Sequence, residues 1–215
     1  MKPTRRLFPA AHQVRPWLIH TVAPDFALED VWAIETHGSD ADFATLLDAF
    51  VDDDFPDSAP AVVRALWNAR WAIGRALRWD RPDAGVGARV ASLRDRLPDD
   101  LRHAPPGREL SGVPFSTLYE TSDEWAAEMA NHTVHTVMHL GWVPDGAGGH
   151  RGQMAVLVRP NGLLGRVYLA LIKPLRHWVV YPALLRGIER RWQAGRRRPA
   201  DPTPWASGPA IRTTR

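Results

Sequence analysis

Residues 133–193 switch hydrophobic period once, and that switch constrains the chain more than any other feature. In Thr133–Val143 (TVHTVMHLGWV), Val134, Thr136, Met138 and Leu140 fall on one side and His135, Val137 and His139 on the other. This is the two-residue period of a strand, and the β-branched content supports it. Asp145–Gly152 is rich in glycine and Met154–Arg159 is apolar again, so strand, turn and strand predict a hairpin. From Leu163 to Gln193 the spacing becomes helical. Leu164, Val167, Tyr168, Leu171, Leu175, Trp178, Val179 and Leu185 share one broad face. Pro174 and Pro182 predict kinks, because proline removes a backbone hydrogen bond and clashes with the preceding turn.

The first half is mainly helical by pattern. Residues 1–16 carry three prolines and no period, and read as a flexible lead-in. Val31, Trp32 and Ile34 predict a strand near Phe26–Glu35. Asp40 or Asp42 can cap a helix through Phe43, Leu46, Leu47 and Phe50. Asp52–Asp54 and Pro56 end it; the acidic run lacks the glycine and the closing glutamate of a calcium loop. Ser58 and Pro60 open a further helix with Val63, Leu66, Trp67, Trp71, Ile73 and Leu77 at helical spacing down to Trp79. Ser92–Leu97 reads as a short helix, Pro98–Pro114 as a connecting loop, and Phe115, Leu118 and Tyr119 as a strand. Trp125–Ala130 is ambiguous: Ala, Glu and Met favour helix, but the stretch is short.

Composition narrows the function classes. A chain of 215 residues can bury roughly 70% of its unfolded surface and needs no covalent staples. It has no cysteine, which excludes a disulfide scaffold, a thiolate metal site and a cysteine nucleophile. Ten tryptophans imply wide aromatic surfaces in the core or around a cavity. Residues 1–150 hold 14 basic and 22 acidic residues, whereas residues 151–215 hold 13 and 2. The basic end could meet a nucleic acid, an anionic membrane or the acidic half of the same chain. No recognition fold or interleaved aromatic platform accompanies these arginines, so nucleic acid is not an expected partner. There is neither a secretion signal nor an uninterrupted apolar span, so a cytoplasmic location is expected, without a transmembrane segment. Residues 194–215, with three successive arginines and four prolines, read as a disordered basic tail.

The run TSDEWAAEMANHTVHTVMHLGWVPDGAGGHRGQMAVLVRPNGLLG, followed by YLALIKPLRHWVVYPALLRGIERRW, resembles a bacterial family known as domain of unknown function 2867. The segments DFALEDVWAIETHG, ALWNARWAIGRALRWD and SLRDRLPDDLR resemble it too, so the likeness spans residues 17–193. The family looks akin to the START-like, helix-grip superfamily. The resemblance implies an α+β helix-grip fold: a curved antiparallel sheet around a long, kinked C-terminal helix, here with a helical insert at 40–97. In that superfamily the gap between sheet and helix often holds an apolar ligand, and a few members are cyclases or hydrolases. No GxGxxG occurs here, so no dinucleotide role carries over.

The expected function is therefore binding of a hydrophobic small molecule between sheet and helix, without a cofactor. Glu128, His135, His139, Trp142, Tyr168 and Arg176 are the candidate ligand-binding residues. Arg176 offers a planar fork for a carboxylate or enolate oxygen. Alternatively it pairs with an acid of the first half, such as Glu35, and ties the helix down. His135 and His139 on a strand sit about 13 Å apart, too far for one metal, so no metal site is expected. Two alternatives remain open: a cyclase, dehydratase or hydrolase using Glu128 and His139 as base and acid, and a peripheral membrane or nucleic-acid interaction through the basic end. The catalytic residues and oligomeric state are not specified by the sequence.

Overall fold

The computed structural model describes residues 5–51, 60–76 and 85–197. Six strands form one antiparallel sheet in the order β1-β2-β6-β5-β4-β3. They are β1 (Arg5–Arg6), β2 (Ala27–Gly38), β3 (Ser116–Glu120), β4 (Glu124–Ala130), β5 (Val134–Pro144) and β6 (His150–Pro160). The predicted hairpin is β5–β6, paired from Val134↔Pro160 to Pro144↔His150. The alternation expected along β5 holds: Thr136, Met138, Leu140 and Trp142 face one layer, and His135, Val137 and His139 face the other.

The ambiguous segment is strand β4. Pairing on both edges, to β3 and to β5, satisfies its backbone groups and overrides the helix propensity of its Ala, Glu and Met. Trp125 and Ala127 then turn to the inner layer, while Glu124 and Glu128, four apart, turn to the outer one.

The inner face of the sheet carries the long C-terminal element, which makes the molecule a helix-grip α+β fold. That element is α6 (Gly162–Leu175), a π-helical turn at Arg176–Val180, and α7 (Tyr181–Arg197). The interruption expected at the prolines takes the form of this widened turn, which lies between Pro174 and Pro182. It has a packing consequence. The positions turned to the sheet run Gly165, Leu169, Ile172, Arg176, then Tyr181, Leu185, Ile188 and Trp192. The step from 176 to 181 is one residue longer than an α-helix allows, and the π turn absorbs that residue.

The face predicted for the C-terminal element holds only in part: Tyr168, Leu175 and Leu185 turn inward. Leu164, Val167, Leu171 and Trp178 are exposed, Trp178 by 82%. The helix is rolled instead onto Gly165, where a Cβ would stand 2.1 Å from the Thr133 carbonyl oxygen. Only glycine permits that approach, so backbone contact outranks the richer apolar stripe.

Helix α3 (Phe43–Val51) also covers the inner face, through Phe43, Leu46, Leu47 and Phe50. A 3-10 turn at Asp40–Asp42 leads into it, and Ser39, not Asp40 or Asp42, caps that turn. Ser39 and Asp42 form a capping box, with Asp42 as the acid that reaches back to the Ser39 N–H at 2.7 Å. Helix α4 (Ala61–Ala76) follows. The expected end of α3 at 52–56, the Ser58 cap, residues 77–79 and the tail beyond Arg197 lie outside the described residues.

The outer face is covered as well, in part by segments expected to lack regular structure and in part by the short helix expected at Ser92–Leu97. Residues 5–16 are not a loose lead-in: Arg5–Arg6 pair with β2, and α1 (Ala10–Gln13) buries His12. With α2 (Leu18–Val22), Phe26, and a 3-10 turn at Leu93–Arg96, they close a second core over Val137, Ala155 and Leu157. The region expected as a loop contains α5 (Asp99–His103).

Candidate functional site

A cavity of about 250 Å³ lies on the inner face of the sheet. Met129, Thr136, Met138 and Val156 form its floor. Val63, Trp67 and Trp71 of α4 wall one side, and the loop from Leu110 to Phe115 another. Tyr168, Ile172, Arg176 and Tyr181 of the C-terminal element close it. The walls are mostly apolar, and among the described residues that line them Arg176 alone carries a charge.

Arg176 belongs to the π turn, which presents two consecutive polar side chains to β2. His177 Nε2 makes a short contact with Asp30 Oδ1, and Arg176 Nη2 lies 3.5 Å from Asp30 Oδ2. Arg6 of β1 adds a second guanidinium 3.6 Å from the same carboxylate. The acid opposite Arg176 is thus Asp30, not Glu35. Asp30 is fully buried, and this cluster holds the C-terminal element to the sheet at its widened turn. Arg176 Nε and Nη2 and Asp30 Oδ2 have no hydrogen-bond partner in this arrangement. The Tyr181 phenol beside them is buried, and burial pushes its pKa well up.

Of the predicted ligand-binding residues, Tyr168 and Arg176 line this cavity. Trp142 does not: it lies on the inner face but packs between Phe43 and Trp192, and its Nε1 donates to the Ser39 carbonyl at 2.9 Å. Glu128, His135 and His139 do not either. Strand pleating sends them to the opposite face of the sheet, with the β-layer between them and the cavity.

There they build two buried Glu–His pairs. His135 Nε2 lies 2.7 Å from Glu128 Oε2, and Glu128 also accepts from the Ser92 hydroxyl at 2.6 Å and the Leu93 N–H at 3.2 Å. His139 Nε2 lies 2.9 Å from Glu124 Oε2, which also accepts from the Tyr119 hydroxyl at 3.0 Å. The Leu18 N–H donates to Glu124 Oε1 at 3.0 Å. His12 Nε2 faces His139 Nδ1 at 3.1 Å, so with Glu124 ionised, His139 donates to the acid and accepts from His12. Burial alone would raise the Glu124 pKa, but the bonds from His139, Leu18 and Tyr119 outweigh it and hold the pKa below its ordinary value. Burial lowers His139 against the opposing pull of Glu124. Burial, with His139 and His20 nearby, lowers His12 to about 2. Both imidazoles are therefore neutral near neutral pH. Glu128 and His139, expected as a base and acid pair, belong to different pairs. Both pairs tie the outer layer to the sheet.

Sequence reasoning missed Asn131 and the α4 wall as cavity elements and Asp30 as the partner of Arg176. Asp30 is a lone acid in an apolar strand (ALEDVWAI), and that out-of-place charge was the available signal.

No helix among the described residues is long and apolar enough to cross a membrane. No curated protein and no solved structure matches the chain. The family described as Protein of unknown function (DUF2867) matches residues 22–183, most of the chain, and the chain belongs to that family.

Proposed function

We propose that this protein binds a hydrophobic small molecule in the cavity between the sheet and the C-terminal helix. The carrying observation is a mostly apolar space of about 250 Å³ between the sheet and the C-terminal element, in whose lining Arg176 is the one charged side chain among the described residues. The size falls just below the roughly 300–1,000 Å³ usual for small-molecule sites, which suits a slender guest. Apolar burial would supply the affinity, at roughly 25 cal/mol per Å² before association costs. Native mass spectrometry of freshly purified protein tests this. A retained apolar mass, absent from a Met138→Trp variant that fills the floor, supports the reading. Bare protein that also fails to take up long-chain apolar probes overturns it. The rival acid/base chemistry on Glu128 and His139 draws no support from their position, since neither faces the cavity.

A second observation favours contact with a membrane surface. Leu163, Leu164, Val167, Leu171 and Trp178 leave an exposed apolar stripe on the outside of the helix whose inner side lines the cavity. Arg166, Lys173 and Arg186 lie in the same element, and no acid occurs between Gly162 and Ile188. Such a face suits an anionic bilayer. Flotation with phosphatidylcholine vesicles, with and without phosphatidylglycerol, is expected to recover the wild type only with the anionic lipid. A Leu171→Ser/Trp178→Ser variant is expected to stay unbound, and a chain ending at Arg197 to bind as the full chain does. Equal recovery of wild type and double variant, or a wild type that dimerises through this face, counts against the membrane.

A further inference from the structure

The polar end of the cavity is unusual for its imbalance of charge. Arg176 is the one charged residue among the described residues of the lining, and its side chain is only 12% exposed. Asp30 faces it, but that carboxylate is shared. Arg6 stands 3.6 Å away and His177 makes its closest contact. Two permanent cations thus surround one buried anion. The neighbouring acid, Glu29, lies 3.6 Å from a cation of its own, Lys173. Arg176 Nε is a buried N–H donor without a hydrogen-bond partner, and Nη2 makes only a long ion pair, 3.5 Å from Asp30 Oδ2. A buried donor left unmade carries its full desolvation penalty, so such atoms mark either strain or a missing acceptor. The Tyr181 phenol, held protonated by burial, accepts a hydrogen bond from the same guanidinium.

We infer that the ligand is an amphiphile whose head is a carboxylate, received by the Arg176 guanidinium with its tail along the apolar floor. The inference deepens the hydrophobic-ligand reading and rests on it. A carboxylate answers both features at once: it accepts from the open donors of a planar fork and neutralises the excess charge. An alcohol head can accept a hydrogen bond but leaves the charge uncompensated.

Decanoic acid and decyl alcohol, matched in tail, separate the two ideas by calorimetry at neutral pH. The wild type is expected to favour the acid by roughly 10- to 100-fold, the range of one charge-assisted hydrogen bond in a buried site. Arg176→Gln is expected to erase that preference while leaving alcohol binding within about threefold. Asp30→Asn, which frees the guanidinium of its competitor, is expected to tighten the acid alone. If the wild type binds both probes equally, or Arg176→Gln keeps the preference, the carboxylate assignment is wrong although the cavity still takes apolar guests. If neither probe binds, the hydrophobic-ligand reading fails, and the carboxylate assignment with it. The wild-type comparison needs no variant, so a misfolded Arg176→Gln does not rescue the assignment.

Discussion

Glu124 and Glu128 show how one residue's surroundings decide its role. They sit four apart on β4, on the same face, each against a histidine of β5. In a solvent-filled cleft such pairs would suggest acid/base catalysis. Here both acids also accept from the outer layer, from Leu18 and Tyr119 in one case and from Ser92 and Leu93 in the other. These bonds satisfy buried backbone, Glu128 holding the Ser92–Leu93 turn and Glu124 with His139 holding the N-terminal segment, the latter with His12 and His139 neutral. A pH dependence follows. His12 and His139 have folded pKa values below the ordinary 6.5, so the unfolded chain binds more protons as pH falls below that value. The stability these residues hold is complete above about 6.5 and drains as the pH drops towards their folded values. Going from about pH 7 to about pH 5, His12 alone should remove about 2 kcal/mol, read as a fall in the urea midpoint. In His12→Gln the slope over that range should flatten. An unchanged slope would show that His12 protonates in the folded state.

Among the elements, the C-terminal helix carries the most information. Its composition offers two apolar stripes, and a helical wheel prefers the one with Leu164, Val167 and Leu171. The contact of Gly165 with the Thr133 carbonyl selects the other. Gly165→Ala should therefore destabilise far more than the helix propensity of alanine would gain, by about 1–3 kcal/mol from overpacking against backbone. Chemical denaturation measures this, and a stabilised variant would mean that the helix does not touch the strand there. The π turn works with that contact. It inserts one residue, so that Arg176 above and Tyr181, Leu185, Ile188 and Trp192 below all reach the same face. The segment that carries the proposed anion-binding residue is thus also the register device of the helix.

For the whole molecule, the sheet is a partition. A second hydrophobic core that encloses the two Glu–His pairs covers one face, and an apolar layer with its cavity lies on the other. The charge asymmetry of the chain is taken up in part across this body: Lys173 faces Glu29, Arg176 faces Asp30, Arg159 reaches Asp25 at 2.6 Å and Arg196 reaches Asp42 at 3.4 Å. Partition implies independence. Substitutions on opposite faces, Glu128→Gln and Arg176→Gln, should add in stability within about 0.5 kcal/mol. A bound guest should raise the urea midpoint without altering the acid slope set by His12. A coupling energy well above that limit in the double-mutant cycle would mean that the two layers communicate through the strands.

The residues by themselves determined the local periods: a β5–β6 hairpin, a long helix broken near two prolines, and alternation that puts Thr136 and Met138 opposite His135 and His139. They also marked Tyr168 and Arg176 as polar points on an apolar helix, and both do line the cavity. Each of these is a short-range property, fixed by backbone sterics and side-chain spacing. Which face of the sheet would meet the long helix was decided only by the tertiary structure, because β5 offers an apolar row on one side and two histidines on the other, and either could be buried once partners exist. The acids on β4 and His12 from the distant N-terminal segment supplied those partners for the histidine side. Gly165 then brought the helix to the remaining side, and the space left beneath it became the cavity.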